Sequence, residues 1–255
     1  MKRFISTIVL AITAFSVHAA NAGPVTGNLT LNGFQYSGVP SGKVTVNEPG
    51  FGGIESTTTR AGGLTGTFSN LSGSSNWLLF CIELFVPSAA FGVPVEYGLT
   101  SPAIGGLQQQ FTTLQRSRLE KLFVKQVATT GQIADDAITS AAVQLAVWEI
   151  LYSDVGFGNL QLTNTNSQNT NGMWTASFNG ARAEAESMLF GIDSFNTSGW
   201  NVTLTSFNNG GFKDGKQDFL SAQVTSAVPE PSSLALILAG LFSISMIVRK
   251  KSKTQ

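Results

Sequence analysis

Residues 76–85 read NWLLFCIELF, the longest apolar strand-like run in the body of the chain. From Trp77 to Phe85 it lacks clean alternation of polar and apolar residues. That is the pattern of a strand covered on both faces. Such a strand needs further layers around it, and the flanking sequence predicts them. Before it lie GNLTLNGFQYSG (27–38), KVTVN (43–47) and GGLTGTFSNL (62–71), short alternating or β-branched segments separated by Gly and Pro. VEYGLT (95–100) follows as another short strand.

The pattern then changes. LQQQFTTLQRSRLEKLFVKQV (107–127) places Phe111, Leu114, Leu122 and Phe123 at helical spacings. A charged face of Arg116, Arg118, Glu120, Lys121 and Lys125 lies beside them. Gly131 ends this helix. A second helix is expected over ADDAITSAAVQLAVWEILYSD (134–154), with Asp135 and Asp136 at its positive N-terminal end. Ala137, Ala141, Gln144, Trp148 and Leu151 are expected on one face. NLQLTNTNSQNTNG (159–172) reads as a polar surface loop. ARAEAESMLFGI (181–192) reads as a short helix. WNVTLTSFNN (200–209) and QDFLSAQVTS (217–226) are expected to form a closing hairpin. Strands, helices, then strands define an α+β class: an antiparallel sheet or sandwich-like body with a central helical insertion.

The two ends of the chain are of a different kind. Lys2 and Arg3 precede an apolar stretch from Ile5 to Val17, and Ala20-Asn21-Ala22 precedes Gly23. This is the pattern of a secretory signal peptide over residues 1–22, cleaved between Ala22 and Gly23. At the other end, Leu234 to Val248 is uncharged, and with Ser232 and Ser233 it reaches the low end of the ~17–25 residues of a membrane helix. Arg249, Lys250, Lys251 and Lys253 follow, which places the C-terminus in the cytoplasm and the body outside. Pro229-Glu230-Pro231 holds the chain extended just before the apolar run.

Residues 228–255, with Pro-Glu-Pro (229–231), a helix over about 232–248 and a basic tail at 249–253, resemble the PEP-CTERM sorting signal. That resemblance implies a Gram-negative bacterium and an exosortase that processes the chain near the motif. Residence would be in the inner membrane before processing, through the C-terminal helix, and at the cell surface or in an extracellular polysaccharide matrix (a biofilm) afterwards. The secretion machinery and the exosortase are the partners it implies. It specifies an address and no activity.

The body, residues 23–227, has nine basic and fourteen acidic residues, a net charge of about −5. A mildly acidic body with no basic cluster argues against nucleic acid as a partner. The only histidine, His18, lies in the signal peptide. A mature body without histidine excludes Ser-His-Asp and Cys-His catalysis and the usual zinc sites. No metal and no cofactor is expected. Glu83, Glu96, Glu149 and Asp154 are the acids a glycosidase would draw on. They form no paired motif, so the chain is not read as an enzyme.

Cys81 is the only cysteine, so no internal disulfide can form. Alone, it can be a small packed hydrophobe. Gln144, between Val143 and Leu145 on the second helix, can by itself satisfy a backbone group at a helix–sheet junction. Together they allow another chemistry. A cysteine thiolate can attack a glutamine side-chain carbonyl and expel ammonia, leaving an internal thioester. This is a stored electrophile that can acylate an amine or hydroxyl on another molecule. It needs the two side chains to meet across a strand–helix contact and water to be kept out. Trp77, Phe80 and Phe85 around the cysteine, with Trp148 and Tyr152 around the glutamine, are expected to do so.

Phe80-Cys81-Ile82-Glu83 resembles the aromatic-Cys motif of the thioester domains of bacterial surface adhesins. Ala141-Ala142-Val143-Gln144-Leu145-Ala146-Val147-Trp148 resembles their second motif, and the order of the two also agrees. The resemblance implies Cys81 as the thiol, Gln144 as the acyl donor, and Phe80 and Trp148 as shields of the bond. Its partner would be a surface amine or hydroxyl nucleophile, used for adhesion. The open alternative is a structural or polysaccharide-associated matrix module with the same fold and no thioester.

Overall fold

Leu29 and Leu31 lie two residues apart on an extended segment, so they point to the same side. So do Leu64 and Phe68, and these alternating residues build the first sheet. In a computed structural model the described residues are 25–48, 53–100, 111–153, 160, 162, 173–178, 180–209 and 216–227. The signal peptide with Ala22 and Gly23, Pro229, Glu230, Pro231 and the sorting helix lie outside them, as does nearly all of the expected 159–172 loop. Among the described residues, no helix is long and apolar enough to cross a membrane.

The strands are β1 (Val25–Phe34), β2 (Ser41–Glu48), β3 (Gly53–Arg60), β4 (Leu64–Asn70), β5 (Gly73–Cys81), β6 (Pro94–Thr100), β7 (Met173–Ala176), β8 (Trp200–Asn208) and β9 (Phe219–Ser226). The helices are α1 (Thr113–Thr130), α2 (Ala137–Tyr152) and α3 (Ala181–Leu189). The α+β class holds, but the sheet is not a sandwich. Six strands close in the order β1-β4-β5-β9-β8-β6, all antiparallel, and a second sheet runs β3-β2-β7.

Closure works because the interior is small and filled. Leu29, Leu31, Phe68, Leu79, Phe207 and Phe219 pack inside the barrel with almost no exposure. At Gly66 a Cβ would sit 2.7 Å from Leu79 Cδ1 and 3.0 Å from Leu29 Cδ1. Only glycine lets these two leucines meet at that level. The closing hairpin forms as expected, with Trp200 opposite Ser226 and Phe207 opposite Phe219. Two expectations shift. β3 and β7 were not anticipated, since GIESTTTR and MWTA carry little apolar alternation. The NWLLFCIELF strand starts earlier, at Gly73, and ends at Cys81, with Ile82–Leu84 buried beyond its end.

A second core lies outside the barrel wall, between β5, β8 and β9, the small sheet and the three helices. Thr112 starts α1 with a reciprocal cap: its hydroxyl accepts from Gln115 N–H, and the Gln115 side chain accepts from Thr112 N–H. Gly131 ends α1 at φ 82°, the left-handed conformation glycine adopts freely. Asp136 caps α2, accepting from Thr139 N–H at 2.7 Å. The expected single buried face of α2 is corrected: every residue from Thr139 to Ile150 is buried. A helix that is apolar all round belongs inside a core, and α2 is wrapped by α1, α3, β5 and β7.

The charged face expected on α1 is also corrected. Arg118 is 1% exposed and grips Asp193, of the short 3-10 turn Ile192–Ser194, through Nε at 2.7 Å and Nη2 at 2.8 Å. A two-pronged guanidinium–carboxylate contact is strong enough to accompany a cation inward. Lys125 donates to the carbonyls of Ser187, Met188 and Phe190 at the C-terminal end of α3, where a cation is favoured.

Removing Asp193 leaves the Arg118 cation buried, whereas Arg118→Met removes the charge and keeps much of the volume. Asp193→Ala should therefore lower unfolding free energy by about 2–4 kcal/mol, and Arg118→Met by less. Urea titration of both variants measures the order, and a milder Asp193→Ala would contradict this account.

Candidate functional site

β5 stops at Cys81, and its neighbours on either side determine what happens there. On one side the ladder continues into β9: Cys81 faces Phe219, and Ile82 N–H donates to the Asp218 carbonyl at 3.1 Å. On the other side β4 begins only at Leu64, opposite Leu79. The Cys81 peptide groups therefore turn toward a place where the neighbouring strand has ended. Buried peptide groups without partners cost about 1–3 kcal/mol each.

Gln144 takes that place. Cys81 N–H donates to Gln144 Oε1 at 2.9 Å, and Gln144 Nε2 donates to the Cys81 carbonyl at 2.8 Å. The side-chain amide thus bonds as a peptide of the missing strand would. Ser140, one turn earlier on α2, accepts from Gly63 N–H at 2.8 Å, just before β4 begins. Tyr152, two turns later, accepts from Leu84 N–H and donates to the Ile82 carbonyl, both at 3.1 Å. Three polar residues spaced four and eight apart fasten α2 across the gap. Their spacing places them on one side of the helix.

Gln144 is almost fully buried, while Cys81 is only half-buried and touches both the barrel core and the helical core. Burial pushes the Cys81 thiol up to about 12; its backbone hydrogen bond opposes this and the Glu83 charge adds to it. At neutral pH the group is a thiol, a weak nucleophile until it loses its proton. The Gln144 amide is positioned and polarised by the Cys81 main chain, because the Cys81 N–H sits on its oxygen, where charge develops when a carbonyl is attacked.

Of the residues expected to exclude water, Phe80 is fully buried, its ring centroid 5.7 Å from Phe123. Trp148 is 1% exposed in the same core, and among the described residues its indole N–H meets no hydrogen-bond acceptor. Phe85 is half-buried. Trp77 goes elsewhere, its ring packing edge-on against Phe207 at 5.2 Å on the barrel side.

Past Cys81 the chain enters a buried acidic cluster, of which the sequence pointed only to Glu83. Glu83 Oε2 accepts from Asp218 N–H at 2.8 Å, and the Glu83 carbonyl accepts from the Gln217 side-chain amide. Tyr97 Oη donates to the Gln217 carbonyl at 3.0 Å, and Asp218 Oδ1 accepts from Asn209 N–H at 2.8 Å. Both carboxyls are buried. Burial raises Glu83 against its hydrogen bond from Asp218. Burial, with the Glu83 charge as a smaller contribution, raises Asp218 to about 7. Asp218 carries no motif; its only signal is a carboxylate directly before the apolar FLSA of β9. Of the other acids, Glu96 is exposed, Glu149 is buried in α2 and Asp154 is outside the described residues.

No family model and no curated protein matches the chain. Among solved structures it is similar to the N-terminal domain of the Streptococcus pyogenes pilus tip adhesin Cpa, at 14% identity and a TM-score of 0.37, over 74% of this chain and 97% of that one.

Gln144→Leu keeps the volume but leaves the Cys81 N–H and carbonyl without partners. Compared in a Cys81→Ala background, it should cost about 2–4 kcal/mol and speed hydrogen exchange at residue 81. Unchanged stability and exchange would show that the amide does not hold this strand end.

Proposed function

We propose that the protein is an exported surface or extracellular-matrix protein that attaches covalently to its partner through a thioester between Cys81 Sγ and Gln144 Cδ. The observation that carries this is the paired hydrogen bonding of the Gln144 amide to the Cys81 peptide. It fixes the amide carbon beside the cysteine and supplies an N–H donor to its oxygen, in a place where Gln144 is dry. The bond would be spent once, on an amine or hydroxyl of a surface or polysaccharide partner. A protein that reacts once is not an enzyme, and this chemistry needs no cofactor.

A second reading has its own support. The same two hydrogen bonds already satisfy every group involved, and the thiol is held protonated. On that reading Gln144 is a structural latch, and the protein is a matrix module that never forms the bond. Intact mass separates the two. The thioester makes the body lighter by one ammonia, and methylamine should convert it to an adduct heavier than the unmodified amide. Cys81→Ala and Gln144→Ala should each abolish both changes. A fresh protein with its plain calculated mass and a titratable thiol supports the latch.

Delivery rests on the two ends: a signal peptide cleaved between Ala22 and Gly23, and Pro229-Glu230-Pro231 with the apolar segment and basic tail as an exosortase signal. In cells lacking the matching exosortase, the uncleaved chain should stay in the inner membrane. Normal surface delivery in those cells would overturn the sorting assignment.

A further inference from the structure

The barrel closes along a short seam. β5 and β9 pair through only Phe80 with Leu220 and Cys81 with Phe219, the shortest ladder in the ring. Polar bonds extend it. Ile82 N–H donates to the Asp218 carbonyl, Gln217 N–H to the Pro87 carbonyl, and Asp218 N–H to Glu83 Oε2 at 2.8 Å. Asp218 Oδ1 accepts from Asn209 N–H just past β8, and the Asn209 side chain reaches Lys216 N–H and the Glu96 carbonyl of β6. One carboxylate therefore ties β9 to the continuation of β5, and the other ties β9 to β8. Both are buried, and neither meets a cation among the described residues. An aspartate carboxyl lies within about 4 Å of its own nitrogen by bond lengths, so the two acids are roughly 7 Å apart or less. Two negative charges so close and so dry repel strongly.

We propose that the Glu83–Asp218 pair makes the β5–β9 seam a pH-sensitive joint beside Cys81, tight while one proton is shared by the pair and loosened when that proton is lost. The joint works in the same way whether or not Cys81 and Gln144 condense. Glu83 ionises first, and Asp218 then titrates against its charge. The folded chain holds the Asp218 proton up to about pH 7, whereas an aspartate free of the fold releases it near 3.8. Folding takes up a proton between those values. The stability this supplies is complete below the lower value and is lost as pH rises through the upper one. The other titratable groups around the pair do not change charge in this window. Burial holds Cys81 on β5 and Tyr97 on β6 protonated. Tyr152 from α2 is bonded to the main chain at Ile82 and Leu84, and Glu96 and Lys216 are exposed. Asp136, held low by its cap bond, titrates beneath the window. The body has no histidine, so no imidazole contributes to a step near neutral pH.

Hydrogen exchange of the full exported chain, followed by mass spectrometry from mildly acidic to mildly alkaline pH and divided by the intrinsic rate at each pH, reads the joint directly. In the wild type, protection at residues 80–82 and 219–220 should fall about tenfold or more as pH rises through neutral, tenfold corresponding to one unit of pKa difference between open and closed seam. Protection in the β1–β4 pair, away from the seam, should change less. In Asp218→Asn the fall should vanish, and the alkaline seam should be as protected as the acidic one, because asparagine can still accept from Asn209 N–H. In Glu83→Gln the fall should move to lower pH, since Asp218 then ionises without a charged neighbour. Thermal melts check that the variants are folded, and if one of them is not, the other still decides. Level protection across the range in the wild type, a fall that persists in folded Asp218→Asn, or an unmoved fall in folded Glu83→Gln overturns the joint.

Discussion

One side-chain amide completes a sheet that the backbone leaves unfinished. β4 begins two residues too late to reach Cys81, and Gln144 supplies the donor and acceptor the ladder lacks. The effect reaches beyond two hydrogen bonds. Ser140 and Tyr152 use the same side of α2 to hold Gly63 and the Ile82–Leu84 segment. The position of α2 is thus set by directional bonds rather than by apolar contact alone. Apolar burial drives association without choosing a register; three polar contacts along one helix face choose it.

This explains how a helix buried on all sides keeps one orientation. A wholly apolar helix could rotate among similar packings, a route to poorly specified cores. In α2 a rotation would strand Ser140 and Gln144 among hydrocarbon groups and leave the strand ends unbonded. The two cores, one inside the barrel and one beneath the helices, meet at Cys81, which touches both. A change at this residue is therefore felt in both layers.

The parts legible in the sequence were those with strong periodicity or a special residue. Leu29, Leu31, Leu64 and Phe68 mark strands by alternation, Asp136 and Gly131 mark helix ends, and the β8–β9 hairpin follows from two apolar runs; the start of α1 at Thr113, capped by Thr112, falls later than the helix expected from Leu107. Barrel closure was not legible, because alternation states which side of a strand is buried and is silent on whether the sheet bends back on itself. β3 stayed hidden because Thr58, Thr59 and Arg60 sit on a polar edge strand. Arg118 read as surface, since nothing near it in sequence announces Asp193, 75 residues away. At the site, pairing Cys81 with Gln144 could be guessed from residue chemistry, and the Gln144 amide does meet the Cys81 main chain. The bonding mode, amide to main chain, depends on where β4 begins and cannot be read from either residue. Asp218 was missed for the same reason: it matters only because β9 lies beside β5.

The strand order of the barrel also constrains the order of events during synthesis. β9, the last described strand, inserts between β5 and β8, and Asp218 at its start bonds Ile82 and Glu83. A chain that emerges N-terminus first can pair β4 with β5 early through a short turn, and β1 with β4 across the intervening β2–β3 pair. It cannot close the ring or complete the hydrogen bonds beyond Cys81 until residue 218 and beyond have emerged. Until then the free side of β5 is an open edge, available to other chains. The late arrival of β9 makes this a barrel that can close only once nearly the whole body has emerged.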